Sequence, residues 1–111
     1  MSLSIRLQCE PVRTLAAAAI LAGYMGVGTA MSRPIRMLFI QNLTDVTLMF
    51  SLNGIDDNFP LAAQGYIMLD ISSNKTNTQG FYFAEGQRVY VKQSGVPATG
   101  AVWVTTFYGA D

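Results

Sequence analysis

Few residues of this sequence could do chemistry, and the usual catalytic types are scarce. The chain of 111 residues has no His and a single Cys. These counts exclude His-dependent triads, imidazole acid–base chemistry, His or thiolate zinc sites and an internal disulfide. Asp56 and Asp57 would point apart on an extended backbone, which does not suit paired acid–base work. With Asn53 and Asn58 they could ligate calcium, but the EF-hand spacing is missing. A solvated turn is the preferred interpretation.

The remaining reactive side chains have no supporting pattern around them. Neither Lys75 nor Lys92 has neighbours that would make it a nucleophile, and Cys9 is expected to be a small buried hydrophobe. We therefore predict that the protein is not an enzyme and takes no cofactor, metal ion or small-molecule substrate.

Two further patterns have a functional and a structural interpretation. Aromatic residues cluster in the last three predicted strands: Tyr82, Tyr90, Trp103, Phe107 and Tyr108. They could stack sugars, but filling a core or an oligomer interface is the preferred interpretation. The triplets at Asn42 and Asn74 match glycosylation sequons, which would matter only in a protein secreted by a eukaryotic cell.

Composition indicates one globular domain that works against a partner. Half of the residues are hydrophobic and 13% are charged, compared with roughly 25% charged in typical soluble domains. The formal net charge is zero, so the basic surplus of a general nucleic-acid binder is missing. A chain with few charges and ample apolar residues is poorly suited to life as a free monomer.

The beginning of the chain imitates a secretory signal. Arg6 and Arg13 precede an apolar run over 15–22, but Glu10 and Pro11 interrupt the basic leader. The run is also shorter than the ~20 residues that a membrane-spanning helix needs. We expect neither a signal peptide nor a membrane segment.

Alternating apolar residues predict an all-β chain. Residues 2–9 place Leu3, Ile5, Leu7 and Cys9 on one face of a half-buried strand. Residues 14–24 could be helix or strand, because four alanines favour the former and the glycine-rich exit the latter. Further strands are predicted over 35–41, 46–52, 66–71, 80–84, 88–93 and 101–108. About eight short strands predict an antiparallel sandwich or barrel. We divide the chain into an N-terminal arm over 1–13 and a sandwich domain over 14–111.

Charge is divided unevenly along the chain. Residues 1–41 carry a net charge of +3 and residues 42–111 a net charge of −3. All four bases of the first part are arginines, which interfaces favour for their fork of donors. Together with three apolar residues of the first strand they form the predicted protein interface: Leu3, Ile5, Arg6, Leu7, Arg13, Arg33 and Arg36.

A series of short phrases resembles small virion proteins of tailed bacteriophages. In chain order these are Tyr24-x-x-Val27-Gly28-Thr29, Asn42-Leu43-Thr44-Asp45, Ser51-Leu52-Asn53-Gly54, Leu69-Asp70-x-x-Ser73-Asn74-Lys75, Gly86-Gln87-Arg88-Val89-Tyr90-Val91-Lys92 and Thr99-Gly100-Ala101-Val102-Trp103-Val104. The chain is most similar in length and composition to the capsid staple, or cement, proteins of short-tailed phages of the epsilon-fifteen type.

That resemblance implies a jelly roll made in the bacterial host cytoplasm and bound to the outer capsid surface. Such proteins form homodimers and clamp neighbouring major-capsid subunits, so nucleic acid and membrane are not expected partners. Two alternatives stay open: a structural component of the phage neck or tail, and a secreted carbohydrate-binding β-sandwich.

Overall fold

A computed structural model describes residues 6–70 and 85–110 of the chain, and it is an all-β structure as predicted. The first five strands are β1 (Arg6–Cys9), β2 (Arg13–Ala16), β3 (Met25–Gly26), β4 (Met37–Asn42) and β5 (Leu48–Ser51). The other four are β6 (Phe59–Leu61), β7 (Tyr66–Asp70), β8 (Tyr90–Gln93) and β9 (Ala101–Ala110). The predicted strand over 80–84 lies outside the described residues.

The strands form two antiparallel sheets. A five-stranded sheet has the order β1-β9-β4-β7, with β2 also paired to β9, and a four-stranded sheet has the order β3-β8-β5-β6. When β1 and β2 are counted as one interrupted strand, the pairing is nested. This first strand pairs with β9, β3 pairs with β8, β4 with β7 and β5 with β6. This is the order of a jelly roll, in which an antiparallel ribbon folds over into two facing sheets.

The core lies between the sheets and consists of alternate residues of the facing strands. Leu38 and Ile40 of β4 are fully buried, as are Val102 and Val104 of β9. Alternation puts the residues between them on the opposite face. In the strands predicted over 46–52, 66–71 and 101–108, more buried and more exposed residues alternate at most of the described positions. The buried cluster comprises Ile20, Val27, Met31, Ile35, Leu38, Ile40, Leu48, Phe50, Leu61, Val89, Val91, Val102 and Val104.

The N-terminal strand pairs with the same chain. β1 pairs with the end of β9, Arg6 opposite Ala110, and β2 pairs with its beginning. Residues 10–12 stand opposite only two residues of β9, so the edge carries a bulge at Pro11, a residue suited to such a position. Arg6–Cys9 and Arg13, predicted as part of an N-terminal arm, are thus paired with β9 of their own chain. Leu3 and Ile5 lie outside the described residues.

Two other segments bear on the sequence prediction, which left 14–24 open between helix and strand and gave a loop over 55–65. Residues 14–24 begin as β2 and then form a single 3₁₀ turn over Ala17–Ala19, with no side-chain cap. The segment 55–65, expected to be a loop, contains β6. Its Pro60 is accommodated because β6 is an edge strand, where a missing N–H disrupts no ladder. Within the described ranges, no helix is long and apolar enough to cross a membrane.

A buried amide fastens the end of β4 to the loops around it. Asn42 is fully buried and its Nδ2 donates to the carbonyl oxygens of Val46 and Leu61, at 2.9 Å each, and of Ala62 at 3.2 Å. Its Oδ1 accepts from the backbone N–H of Thr44 at 3.0 Å and from that residue's hydroxyl. The amide therefore links β4, the following turn and β6.

Candidate interaction surfaces

The described part of the chain contains a buried ion pair at one end of the five-stranded sheet. Arg13 is 7% exposed, and its Nη2 lies 2.9 Å from Oε1 of Glu10. Its Nη1 donates to the hydroxyl of Thr106 at 3.0 Å. Its Nε and Nη2 donate to the carbonyl oxygens of Thr29 and Ala30 at 2.7 and 3.1 Å. Every nitrogen of the guanidinium is therefore used within the chain.

The partner carboxylate is equally enclosed. Glu10 is 5% exposed and accepts hydrogen bonds from the hydroxyls of Thr106 and Ser32 and from the backbone N–H of Ser32. Burial alone would raise the pKa of Glu10, but these hydrogen bonds and the charge of Arg13 outweigh it and hold that pKa below its usual range. The bonds of Glu10 to Arg13 and Ser32 therefore hold the first strands against the loop over 28–32.

One face of the five-stranded sheet points away from the core. We call it the outer face. Its larger side chains are Leu7, Cys9, Thr14, Met37, Phe39, Gln41, Tyr66, Met68, Asp70, Trp103, Thr105 and Phe107. The strand register puts them in rows, because residues opposite each other in a ladder share a face. One row joins Cys9, Phe107, Met37 and Asp70 across four strands. The outer face is thus continuous over the whole sheet.

Apolar side chains dominate the outer face. Leu7 is 68% exposed, Tyr66 67% and Met68 53%. Phe39 is half-buried and meets the ring of Tyr66 edge-on, with 5.5 Å between the centroids. Contiguous exposed apolar surface of this kind is typical of interaction sites on proteins. Cys9 is exposed here, so the prediction that it is buried is wrong: β1 is an edge strand and nothing described covers its outer side.

A polar cluster lies on the other sheet, around the loop after β5. The hydroxyl of Tyr24 donates to Oδ1 of Asp57 at 2.5 Å, and Nζ of Lys92 lies 2.9 Å from the same oxygen. Lys92 also lies 4.8 Å from the centroid of the Tyr24 ring. Through these contacts Lys92 of β8 and Tyr24 hold Asp57 of the loop in place. We call Tyr24, Asp57 and Lys92 the clasp.

The oxygens considered as calcium ligands are used inside the same loop. Oδ1 of Asn53 accepts from the backbone N–H groups of Ile55 and Asp56, both at 2.9 Å. Oδ1 of Asn58 accepts from the backbone N–H of Leu52 at 2.8 Å. Nδ2 of Asn53 donates to Asp56. These contacts fit a turn that is held by its own side chains.

The clasp gives an expected pH dependence. Burial and the hydrogen bond to Asp57 raise the pKa of Tyr24 from 10.0 to about 12. Because the folded pKa lies above the unfolded one, the stability from Tyr24 is complete below pH 10 and is lost as the pH rises toward 12. We expect the difference in urea midpoint between wild type and Tyr24→Phe to shrink over that range. A difference that stays constant to pH 12 would contradict this assignment, and Tyr66→Phe is the control.

The predicted interface arginines are placed in different surroundings. Arg13 is buried and fully engaged, so its side chain is not available at the surface. Arg33 is exposed, with its guanidinium carbon 4.7 Å from the ring centroid of Tyr108. Arg36 is half-buried, and its backbone N–H donates to the carbonyl of Phe107 at 2.9 Å. Arg6 is described only as the first residue of β1.

The structure separates the clustered aromatic residues. Trp103 and Phe107 lie on the outer face, while Tyr108 alternates with them and packs against the core. Tyr90 lies in the four-stranded sheet, and Tyr82 is outside the described residues. Phe39, Tyr66 and Met68 were not predicted as surface residues, although the alternation of β4 and β7 contained the signal. No family model, curated protein or solved structure matches this chain.

Proposed function

We propose that this chain is a non-enzymatic structural protein of a phage virion. In this proposal it binds the outside of the capsid and staples neighbouring major-capsid subunits, which stabilises the head. The sequence phrases that resemble small virion proteins of tailed bacteriophages suggest the setting. The observation that carries the proposal is the outer face, a continuous apolar surface on a small chain of zero net charge.

The chemistry of the described side chains fits an assembly role. The two most enclosed ionisable groups, Glu10 and Arg13, pair with each other. Asp56 is held by Asn53 of its own loop, and Asp57 is held by Tyr24 and Lys92. A protein that works through contact area needs no poised acid or nucleophile. Many weak contacts on one lattice also reinforce each other through effective concentration.

Arg33 and Arg36 mark an edge that would add charged contacts with the capsid to the apolar contact of the outer face. Both lie beside the end of β9, one through the Tyr108 ring and one through the carbonyl of Phe107. Stacking on an aromatic ring holds a guanidinium in place while its donors stay available at the rim of the ring. An acidic patch on a capsid subunit would complement this edge, and desolvated interfacial pairs can contribute several kcal/mol.

The test uses particles produced from the genome that encodes the chain. Heads lacking the protein are incubated with purified full-length chain, and bound copies per head are counted by quantitative mass spectrometry. We expect hundreds of copies for wild type and at least a tenfold loss for the Arg33→Gln/Arg36→Gln double variant. Lys92→Gln, which removes a cation from the opposite sheet, should bind like wild type.

Three outcomes would argue against the proposal. Wild-type protein that does not bind heads rejects capsid stapling outright. A dozen or fewer copies per virion places the chain in the neck or tail. Stabilisation by sugars, together with absence from purified particles, favours a carbohydrate-binding sandwich.

A further inference from the structure

In the described part of the chain the two sheets have four edges, and three of them are protected against pairing with a further strand. The edge at β1 and β2 is interrupted by the bulge at Pro11, β3 has two residues, and β6 has three residues that include Pro60. Short strands, prolines and bulges are the usual protection of sheet edges. The fourth edge is β7, which has five residues in an uninterrupted register and no proline. β7 is therefore the edge at which another strand can pair.

The register shows which backbone groups of β7 point to this edge. The N–H of Asn42 donates to the carbonyl of Gly65 at 2.8 Å, so these two residues form a hydrogen-bonded pair. Hydrogen-bonded and non-hydrogen-bonded pairs alternate along an antiparallel ladder. The N–H and C=O groups of Tyr66 and Met68 therefore point away from β4, and in the described ranges no strand pairs with β7 on that side. Two donors and two acceptors are thus available to a further backbone.

The core side of β7 indicates which side chains a further strand would bring. Ile67 and Leu69 point toward the core but are only half-buried. Their partners in the register, Ile40 and Leu38 of β4, are fully buried. The core is therefore incompletely covered at this edge, and aliphatic side chains at alternate positions of an added strand would cover it.

Charge narrows the choice of segment. β7 carries no charged residue before Asp70 at its last position. A charged side chain on an incoming strand would find no complement along the rest of β7, and its desolvation would be costly. The segment that fits this edge is extended and uncharged, with aliphatic residues at every second position.

We propose that this segment belongs to the major capsid subunit, which adds an extended stretch of its chain to the five-stranded sheet at β7. The inference rests on the proposed function. The side chains of Tyr66 and Met68 lie on the outer face, while their backbone groups point to the edge, so the edge adjoins the surface through which we propose that the capsid binds. Strand addition supplies main-chain hydrogen bonds and a fixed register, which an apolar surface alone does not give.

Hydrogen exchange tests the inference on the full chain. Purified protein is bound to heads that lack it and transferred to D₂O, and the exchange of β7 amides is measured by mass spectrometry after digestion. In the free chain the amides of Tyr66 and Met68 should exchange fast, and those of Ile67 and Leu69, which bond to β4, should exchange slowly. On heads, the exchange rates of Tyr66 and Met68 should fall at least tenfold.

A proline at position 68 removes one donor of the edge and leaves the pairing with β4 in place. Met68→Pro deletes an N–H that points away from β4, and edge strands accept proline at such a position. Met68→Ala is the matched control, because it loses the same side chain from the outer face but keeps the N–H. Met68→Pro should bind heads at least tenfold more weakly than Met68→Ala, with urea unfolding used to verify that both variants are folded.

Four outcomes would overturn the inference. Slow exchange of Tyr66 and Met68 in the dilute free chain would mean that the chain itself covers the edge. Protection that appears in the free chain as its concentration rises would assign the edge to a second copy. Heads that bind wild type without protecting these amides, or that bind both folded Met68 variants equally, would contradict this inference alone. Wild type that does not bind heads would contradict the proposed function as well.

Discussion

Replacing Arg13 with Met is expected to lower the free energy of unfolding by about 3–5 kcal/mol, the usual effect of leaving a buried charge without its partner. The carboxylate of Glu10 would keep its enclosed position but lose the cation 2.9 Å away. The carbonyl oxygens of Thr29 and Ala30 would lose their donor as well. For a domain of this size the melting temperature should fall by roughly 10–25 °C, which calorimetry measures directly.

The control and the pH dependence make this prediction specific. Arg33→Met removes an exposed arginine of the same length and should cost no more than about 1 kcal/mol. The lowered pKa of Glu10 means that its contribution is present above its unfolded value of 4.5 and lost as the pH falls. The difference between wild type and Arg13→Met should therefore shrink in acid. Equal losses for Arg13→Met and Arg33→Met at neutral pH would refute the buried pair.

Replacing Asn42 with Ala should cost about 3–5 kcal/mol. The change leaves the carbonyl oxygens that accept from Nδ2, and the backbone N–H of Thr44, without their hydrogen-bond partner. Each unsatisfied buried group costs about 1–3 kcal/mol, and such costs are not strictly additive. Chemical denaturation followed by tryptophan fluorescence measures the loss. Asn58→Ala, at an exposed asparagine with one backbone bond, is the matched control and should lose about 1 kcal/mol or less. A loss for Asn42→Ala as small as that of the control would contradict the buried network.

Asn42 and Asn53 show which features of the structure the sequence could predict. The triplet at Asn42 matched a glycosylation sequon, but the residue is fully buried and its amide is engaged in the core. A short sequence motif identifies a residue type that could be modified. Whether that residue is buried depends on strands that are far away in the sequence. By contrast, the turn at Asn53 and Gly54 follows from local chemistry alone, since Gly54 adopts φ +78° as such a turn requires.

Period-two alternation explains why the fold class was predictable. It is a local signal, and it predicted strands that overlap β5, β7 and β9. β6 was missed because its three residues include Pro60 and are too short to alternate. The layout of the sheets carries no local signal: β1 pairs with β9 across nearly the whole chain.

The candidate surface was predicted only in outline. Alternation placed Leu7 and Cys9 on one face, but whether that face met the core depended on which strand β1 paired with. The arginines looked equivalent in sequence, yet Arg13 turns inward because Glu10 precedes it by three residues across the bulge. An acid at that spacing is a weak signal, since the same spacing pairs residues on a helix surface.

The position of β9 sets the order of events in biosynthesis. This strand separates β1 and β2 from β4, so the five-stranded sheet cannot close until Ala101–Ala110 has been synthesised. Contacts between residues so distant in sequence make folding slow. Until then one edge of β4 lacks its hydrogen-bonding partner, and an unpaired strand edge exposes the nascent chain to aggregation.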